Sequence, residues 1–285
     1  VKYEDAKHDA MTHHYEYDSD NRITDVSSSH FAAADFNLLP QVYDKDAKYF
    51  YYAHGPLART ELGDLKVQGC DYVYTIQGWV KGVNSNKLDP ANDPGHDGLA
   101  AVNNPNALFA HDVEGYTLGY YAGDYTPIES ANQTQPNRFE ADKTGSLLEA
   151  NRFNLFNGNI GSMVTTITDP GTGNELVNGN AYKYDQLNRI TDARSFNNID
   201  LTNNLWLPTG TYNNEYFNQF TYDANGNILT QIRHSETGAQ IEDLTYQYAK
   251  DGNSKTVQNR LYHVNETVTA AAFADDIDDQ GTFTD

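Results

Sequence analysis

Apolar and polar positions alternate with a period of two along much of this 285-residue chain, and the same short punctuation keeps interrupting the alternation. In YKYDQLNRITDA (182–193), Tyr182 and Tyr184 alternate with polar residues, Asp185 follows, and Arg189-Ile190 begins a second alternation. YEYDSDNRITDV (15–26) repeats this almost position for position: Tyr15, Tyr17, Asp18, Asn21, Arg22, Ile23, Thr24 and Asp25 stand where Tyr182, Tyr184, Asp185, Asn188, Arg189, Ile190, Thr191 and Asp192 stand. FTYDANGNILTQ (220–231) is a third copy, with Tyr222-Asp223, then Gly226-Asn227 in the turn and Ile228 after it. Residues two apart lie on one face of a strand. Asn and Gly accept positive φ, and Asp bonds back to nearby N–H groups. Each copy is therefore predicted to be a β-hairpin, with Arg-Ile-Thr or Asn-Ile-Leu as the return strand. Looser copies are read at 41–53 (QVYDKDAKYFYYA) and 244–264 (LTYQYAKDGNSKTVQNRLYHV). A lone hairpin is marginal in water, so the copies are expected to pair edge to edge.

The pattern organises the chain into hairpin repeats at 1–66, a β region at 67–168, hairpin repeats at 169–264, and an acidic loop at 265–285 leading to further repeats. Within the β region, Tyr72-x-Tyr74-x-Ile76 and Trp79-x-Lys81-x-Val83 alternate on either side of Gly78. Residues 84–109, rich in Asn, Asp, Pro and Gly, are expected to form a long surface loop with at most one helical turn. SLLEANRF (146–153) is the one short helix expected. The chain starts at Val1 and stops at GTFTD, and we read it as an internal piece of a longer polypeptide.

Composition supports a β fold. The apolar content is 38%, and it is carried by 21 Tyr and 12 Phe against 2 Met and 1 Cys. Tyr suits half-wet sheet faces. The formal charge of −21 argues against nucleic-acid partners and anionic membranes, which need clustered Lys and Arg. With one Cys, no intrachain disulfide can form. No run reaches the ~18 apolar residues of a membrane-spanning helix.

On these residues (Tyr17-Asp18 with Asn21-Arg22, Tyr184-Asp185 with Asn188-Arg189, and Tyr222-Asp223 with Gly226-Asn227) the chain resembles the RHS/YD-repeat family. The middle, with YYAHGPLARTELG, VQGCDYVYTIQGWVKGVNS and LDPANDPGHDG, resembles the large RHS-type proteins of Bacteroidetes. The resemblance implies a long β-strip spiralling into a hollow shell, as in polymorphic toxins, Tc toxins and teneurins. It implies a structural segment of a secreted or cell-surface protein, exported by type IX secretion. Its partners would be the rest of its own polypeptide and an enclosed C-terminal toxin or effector, with no nucleic acid and no membrane insertion. The alternative is a cell-surface adhesin or glycan-binding module, for which Tyr72, Tyr74 and Trp79 would supply a stacking surface. Family members that release cargo carry a protease region with DPxG motifs. Asp93-Pro94-Gly95 and Asp169-Pro170-Gly171 lack those surroundings, and both are read as turns.

Other chemistry finds little support in the sequence. His13-His14, His96 and His111-Asp112 lack zinc-ligand spacing. Asp89, Asp93 and Asp97 share a Gly-containing loop of the kind that holds calcium, but without EF-hand order or a closing Glu. Asp275, Asp276, Asp278 and Asp279 read as a solvated charge run. Cys70 has no activating base nearby in sequence. No nucleophile elbow, phosphate loop or dinucleotide fingerprint is present. The expectation is a non-enzymatic chain with no catalytic residue, metal or cofactor.

Overall fold

The computed structural model describes residues 2–3, 11–30, 43–126, 139, 152–196, 199–200, 205–206 and 214–268. Among these residues every regular element is a β-strand. The strands are β1 (Lys2–Tyr3), β2 (Met11–Tyr17), β3 (Ile23–His30), β4 (Asp44–Tyr51), β5 (Leu57–Leu62), β6 (Gln68–Tyr74), β7 (Val80–Val83), β8 (Glu114–Gly119), β9 (Ser162–Thr168), β10 (Glu175–Tyr184), β11 (Ile190–Phe196), β12 (Ile199–Asp200), β13 (Leu205–Trp206), β14 (Asn218–Tyr222), β15 (Ile228–His234), β16 (Gln240–Lys250) and β17 (Thr256–Glu266).

The chain divides into two compact units. The first comprises Val1–Thr117, Asp124–Ala141 and Thr165–Leu176; the second comprises Leu118–Gly123, Asp142–Val164 and Val177–Asp285. In the first unit, β1 to β8 pair antiparallel in chain order. In the second, β10-β11-β14-β15-β16-β17 do the same, while β12 and β13 form a separate hairpin.

One turn recurs at most hairpin ends. Its first residue takes the carbonyl of the fifth with its N–H, and its carbonyl accepts the N–H of the fourth. This holds for Asp18–Arg22, Tyr52–Pro56, Thr75–Trp79, Asp185–Arg189, Asp223–Asn227, Ser235–Ala239 and Asp251–Lys255. The fourth residue is left-handed in each: Asn21 (φ 63), Gly55 (120), Gly78 (83), Asn188 (62), Gly226 (93), Gly238 (80) and Ser254 (62). A register shift precedes the turn at Tyr17, Tyr51, Tyr74, Tyr184 and Tyr222. This is a type I turn closed by a left-handed residue and a bulge.

The structure moves some sequence boundaries. In 41–53 the Tyr43-Asp44 pair lies at the start of β4 rather than in a turn, and the turn comes at Tyr52–Pro56. The turn needs a left-handed fourth residue, which Gly55 supplies, and Asp at its head is dispensable. β6 ends at Tyr74, so Ile76 sits on a turn tip, 93% exposed, and does not continue the alternation. The helix expected at 146–153 falls largely outside the described residues, and Arg152 and Phe153 are irregular. Residues 269–285, with the acidic tail, are also outside them.

The second unit has an apolar core of Val164, Ala181, Phe196 and Trp206, with Val177 against it. Gly179 makes room for Trp206: a Cβ there would come within 2.6 Å of the indole. The first unit is held differently, around a buried polar centre.

Candidate functional site

Two constructions stand out, one repeated and one unique. The repeated one begins in the turn. The Asp18 carboxylate accepts the N–H groups of Asp20 and Arg22 through Oδ1 (both 2.9 Å) and the Arg22 guanidinium through Oδ2 (2.8 and 2.7 Å). Asp185 repeats this with the N–H groups of Leu187 and Arg189 (2.8 and 3.0 Å) and Arg189 Nε (2.6 Å). In the third copy Asp223 accepts from Asn225, Asn227 and the Asn227 amide (2.9, 2.9 and 2.8 Å). These donors, the Arg22 N–H first among them for Asp18 and the Asn227 amide first for Asp223, hold both carboxyls below the ordinary range.

The arginine then reaches the next repeat. Arg22 lies over the Tyr51 ring (4.4 Å to centroid) and Arg189 over Tyr222 (4.6 Å). In return Tyr51 donates its hydroxyl to the Ile23 carbonyl, and Tyr222 to that of Ile190, each at 2.7 Å. Tyr184 does the same to Ile160 (2.7 Å). Arg189 also donates to the Asp223 carbonyl (2.7 Å), so successive turns are joined directly. Tyr17, first of the series, is 54% exposed.

Tyr72, Tyr74 and Trp79 are partly buried. Tyr74 packs edge-on against Tyr52 (6.3 Å), and Tyr52 donates to the Tyr72 carbonyl (2.8 Å). Val83 pairs with both Tyr72 and Tyr116, so the rings continue across neighbouring strands. Trp79 closes the Thr75 turn. Tyr72 and Tyr74 lie within β6, while Trp79 stands between its turn and β7.

The unique construction lies under the 84–109 loop, which was expected on the surface. Asn84, Ser85, Asn86, Leu88, Asp93 and Asp97 are each at most 6% exposed. Left-handed residues shape the loop, among them Asn84, His96, Gly98 and Asn103, which explains its wealth of Asn and Gly. Asparagines staple it: Asn84 exchanges hydrogen bonds with the Asp71 backbone (2.8 and 2.9 Å), Asn104 donates to the carbonyls of His96 and Leu99 (2.8 Å each), and Asn106 to Gly95 (2.7 Å). Residues 89–93 make a single helical turn, capped by exposed Asp89 (2.9 Å to the Ala91 N–H). Asp93 and Asp97 point the other way, inward.

There they meet Asp71 of β6. Carboxylate oxygens of Asp71, Asp93 and Asp97 all lie within 4.8 Å of one another. Arg59 of β5 bonds Asp71 through Nη1 and Asp97 through Nη2 (2.6 Å), with Nε on Glu61 (3.3 Å) and its guanidinium over Phe109 (4.7 Å). Asp112 adds a fourth buried carboxyl beside Asp93. Gly69 and Gly95 close the nest: a Cβ would come within 2.0 Å of Arg59 at the first and 2.1 Å of Asp71 at the second. Burial raises all four carboxyls, Asp71 to about 7 and Asp112 to about 9; mutual repulsion adds to this, and Arg59 offsets part of it for Asp71, Asp93 and Asp97.

The sequence had paired Asp93 and Asp97 with Asp89 and had weighed Asp112 only beside His111; it had not drawn in Arg59 or Asp71. Asp71 and Arg59 stand in strands that look like any other alternating run. Their charges at inward positions of β5 and β6 were the available signal. Of the histidines, His13 lies 3.8 Å from Asp46 and His14 3.6 Å from Glu16, while His96 bonds the Pro90 carbonyl (3.0 Å). Among the described residues no histidine joins a ligand cluster. Asp169 of the second Asp-Pro-Gly string accepts from Gly171 and Thr172 (2.8 and 2.6 Å) as a turn.

No family model matches the chain, and no curated protein matches it. Among solved structures it is similar to the crystal structure of TcdB2-TccC3-TEV, with 10% identity over 90% of this chain and a TM-score of 0.31. It is also similar to the Photorhabdus luminescens Tc holotoxin pore with the TccC3-D651A mutation (7% identity over 85%, TM-score 0.27) and to TcdB2-TccC3-Cdc42 (10% over 84%, 0.27). The chain spans 10 to 13% of those much longer chains.

Proposed function

We propose that this chain is a structural segment in the wall of a larger RHS-type β-shell, secreted or displayed on a bacterial surface, that encloses or presents a C-terminal effector. The observation that carries the reading is the Arg-to-Tyr link between successive hairpins: Arg22 with Tyr51 and Arg189 with Tyr222. Each of these two links fastens one hairpin to the next, which is how a strip is lengthened. The most distinctive side chains of the repeat thus serve assembly. In this reading the chain is not an enzyme; its partners are its own flanking polypeptide and the effector, and its export runs through type IX secretion.

The test is a cryo-EM reconstruction of the full-length parent. Continuous β-walls around separate density would support a container. A filled or open β-structure with outward-facing aromatics would overturn it in favour of an adhesin.

A further inference from the structure

We propose that Asp71, Asp93 and Asp97, flanked by Asp112, bind one calcium ion, which fastens the 84–112 loop onto β6. Four aspartates, each at most 7% exposed, face one another with a single buried guanidinium, that of Arg59, among them. Carboxylates so enclosed must take up either protons or a cation.

The lone pairs favour the cation. Asp93 Oδ1, Asp97 Oδ2 and Asp112 Oδ1 are all buried without a hydrogen-bond donor. One proton shared between Asp93 and Asp112 still leaves Asp97 Oδ2 bare, whereas a cation can sit where oxygens of Asp71, Asp93 and Asp97 approach within 4.8 Å of one another. Arg59 does not block it, because it holds Asp71 by Oδ2 and Asp97 by Oδ1. The donors are all hard oxygens, on an irregular loop and an adjacent strand, which suits the flexible coordination of calcium better than the strict octahedron of magnesium. The site stands independently of the shell reading.

The experiment is calcium titration of the 285-residue chain, stripped with EDTA, by calorimetry and thermal melting at pH 8 and pH 5.5. We expect a single site. We expect the melt to rise by roughly 5 °C at 1 mM calcium and pH 8, and by less at pH 5.5, where protons compete for the carboxylates. Asp93→Asn should weaken binding about tenfold or more, while Asp89→Asn, at the exposed cap, should leave it unchanged. A cooperative melt indifferent to calcium at pH 8 would overturn the proposal. So would equal binding by Asp93→Asn, since the ions would then be collecting on the acidic surface. Should Asp93→Asn fail to fold, the unaltered chain still decides: one site that raises the melt supports the proposal, and several weak sites refute it.

Discussion

The guanidinium of Arg22 lies 4.4 Å from the centre of the Tyr51 ring, and the Tyr51 hydroxyl donates back to the carbonyl of Ile23, the residue after Arg22. Arg189 and Tyr222 stand in the same relation, the hydroxyl going to Ile190. The tyrosine thus reads both the side chain and the backbone of the preceding return strand. It can do so because the bulge before its turn sets it at the end of its own strand.

Tyr222→Phe keeps the ring under Arg189 and removes only the hydroxyl's bond to Ile190. It should lower stability by about 1 kcal/mol. Tyr222→Leu, which also removes the cation–π contact, should cost more. Chemical denaturation of the three proteins checks the order; equal midpoints for Phe and wild type would show that the hydroxyl bond contributes nothing.

Gly179→Ala places a methyl group 2.6 Å from Trp206 in the core of the second unit. The indole is walled in by Phe196, with ring centroids 6.3 Å apart. Overpacking of this kind costs about 1 to 3 kcal/mol. The expected readout is a lower melting temperature with a red-shifted tryptophan emission. An unchanged melt would mean the core yields freely.

Stability without calcium should fall as pH rises. Asp71 and Asp112 keep their protons to about pH 7 and 9 in the folded chain, whereas unfolded aspartates lose theirs near 4. Between those limits the folded state binds more protons, so the stability these two groups supply is complete below about pH 4 and lost by about pH 9. The charges around them are Arg59 and Glu61 on β5, Cys70 beside Asp71 on β6, and Asp93 and Asp97 on the loop. Asp112→Asn should flatten the limb above pH 7. Melting curves in EDTA from pH 5 to 9.5 test this; a flat profile in the wild type would refute it.

Cys70 should be a slow thiol. Burial and the surrounding aspartates push it up to about 11, so at pH 8 only about one molecule in a thousand carries the reactive thiolate. Labelling with a disulfide reagent should become fast only on unfolding. Immediate labelling of the folded chain would contradict this.

The hairpins were legible in the sequence because their information is local. Asp18, Asn21, Arg22 and their counterparts lie within five residues of one another, and each residue type answers one demand of the turn. Where the turn meets the same demand with other chemistry, as at Ser235 with Gly238, the pattern hid it. The acidic nest was hidden for the opposite reason. Arg59 and Asp97 are 38 residues apart, and only the folding of β5, β6 and the loop brings them together. A loop rich in Asn and Asp reads as solvated, yet here its amides are spent on its own backbone, which lets it be buried. Its carboxylates are left inside.

Pairing in chain order has a mechanical consequence for each run of strands. Pulled by one end, such a run loads its outermost hairpin alone, and the bonds of that hairpin open in succession like a zip. The Arg–Tyr links would yield one at a time, each releasing a hairpin and presenting the next.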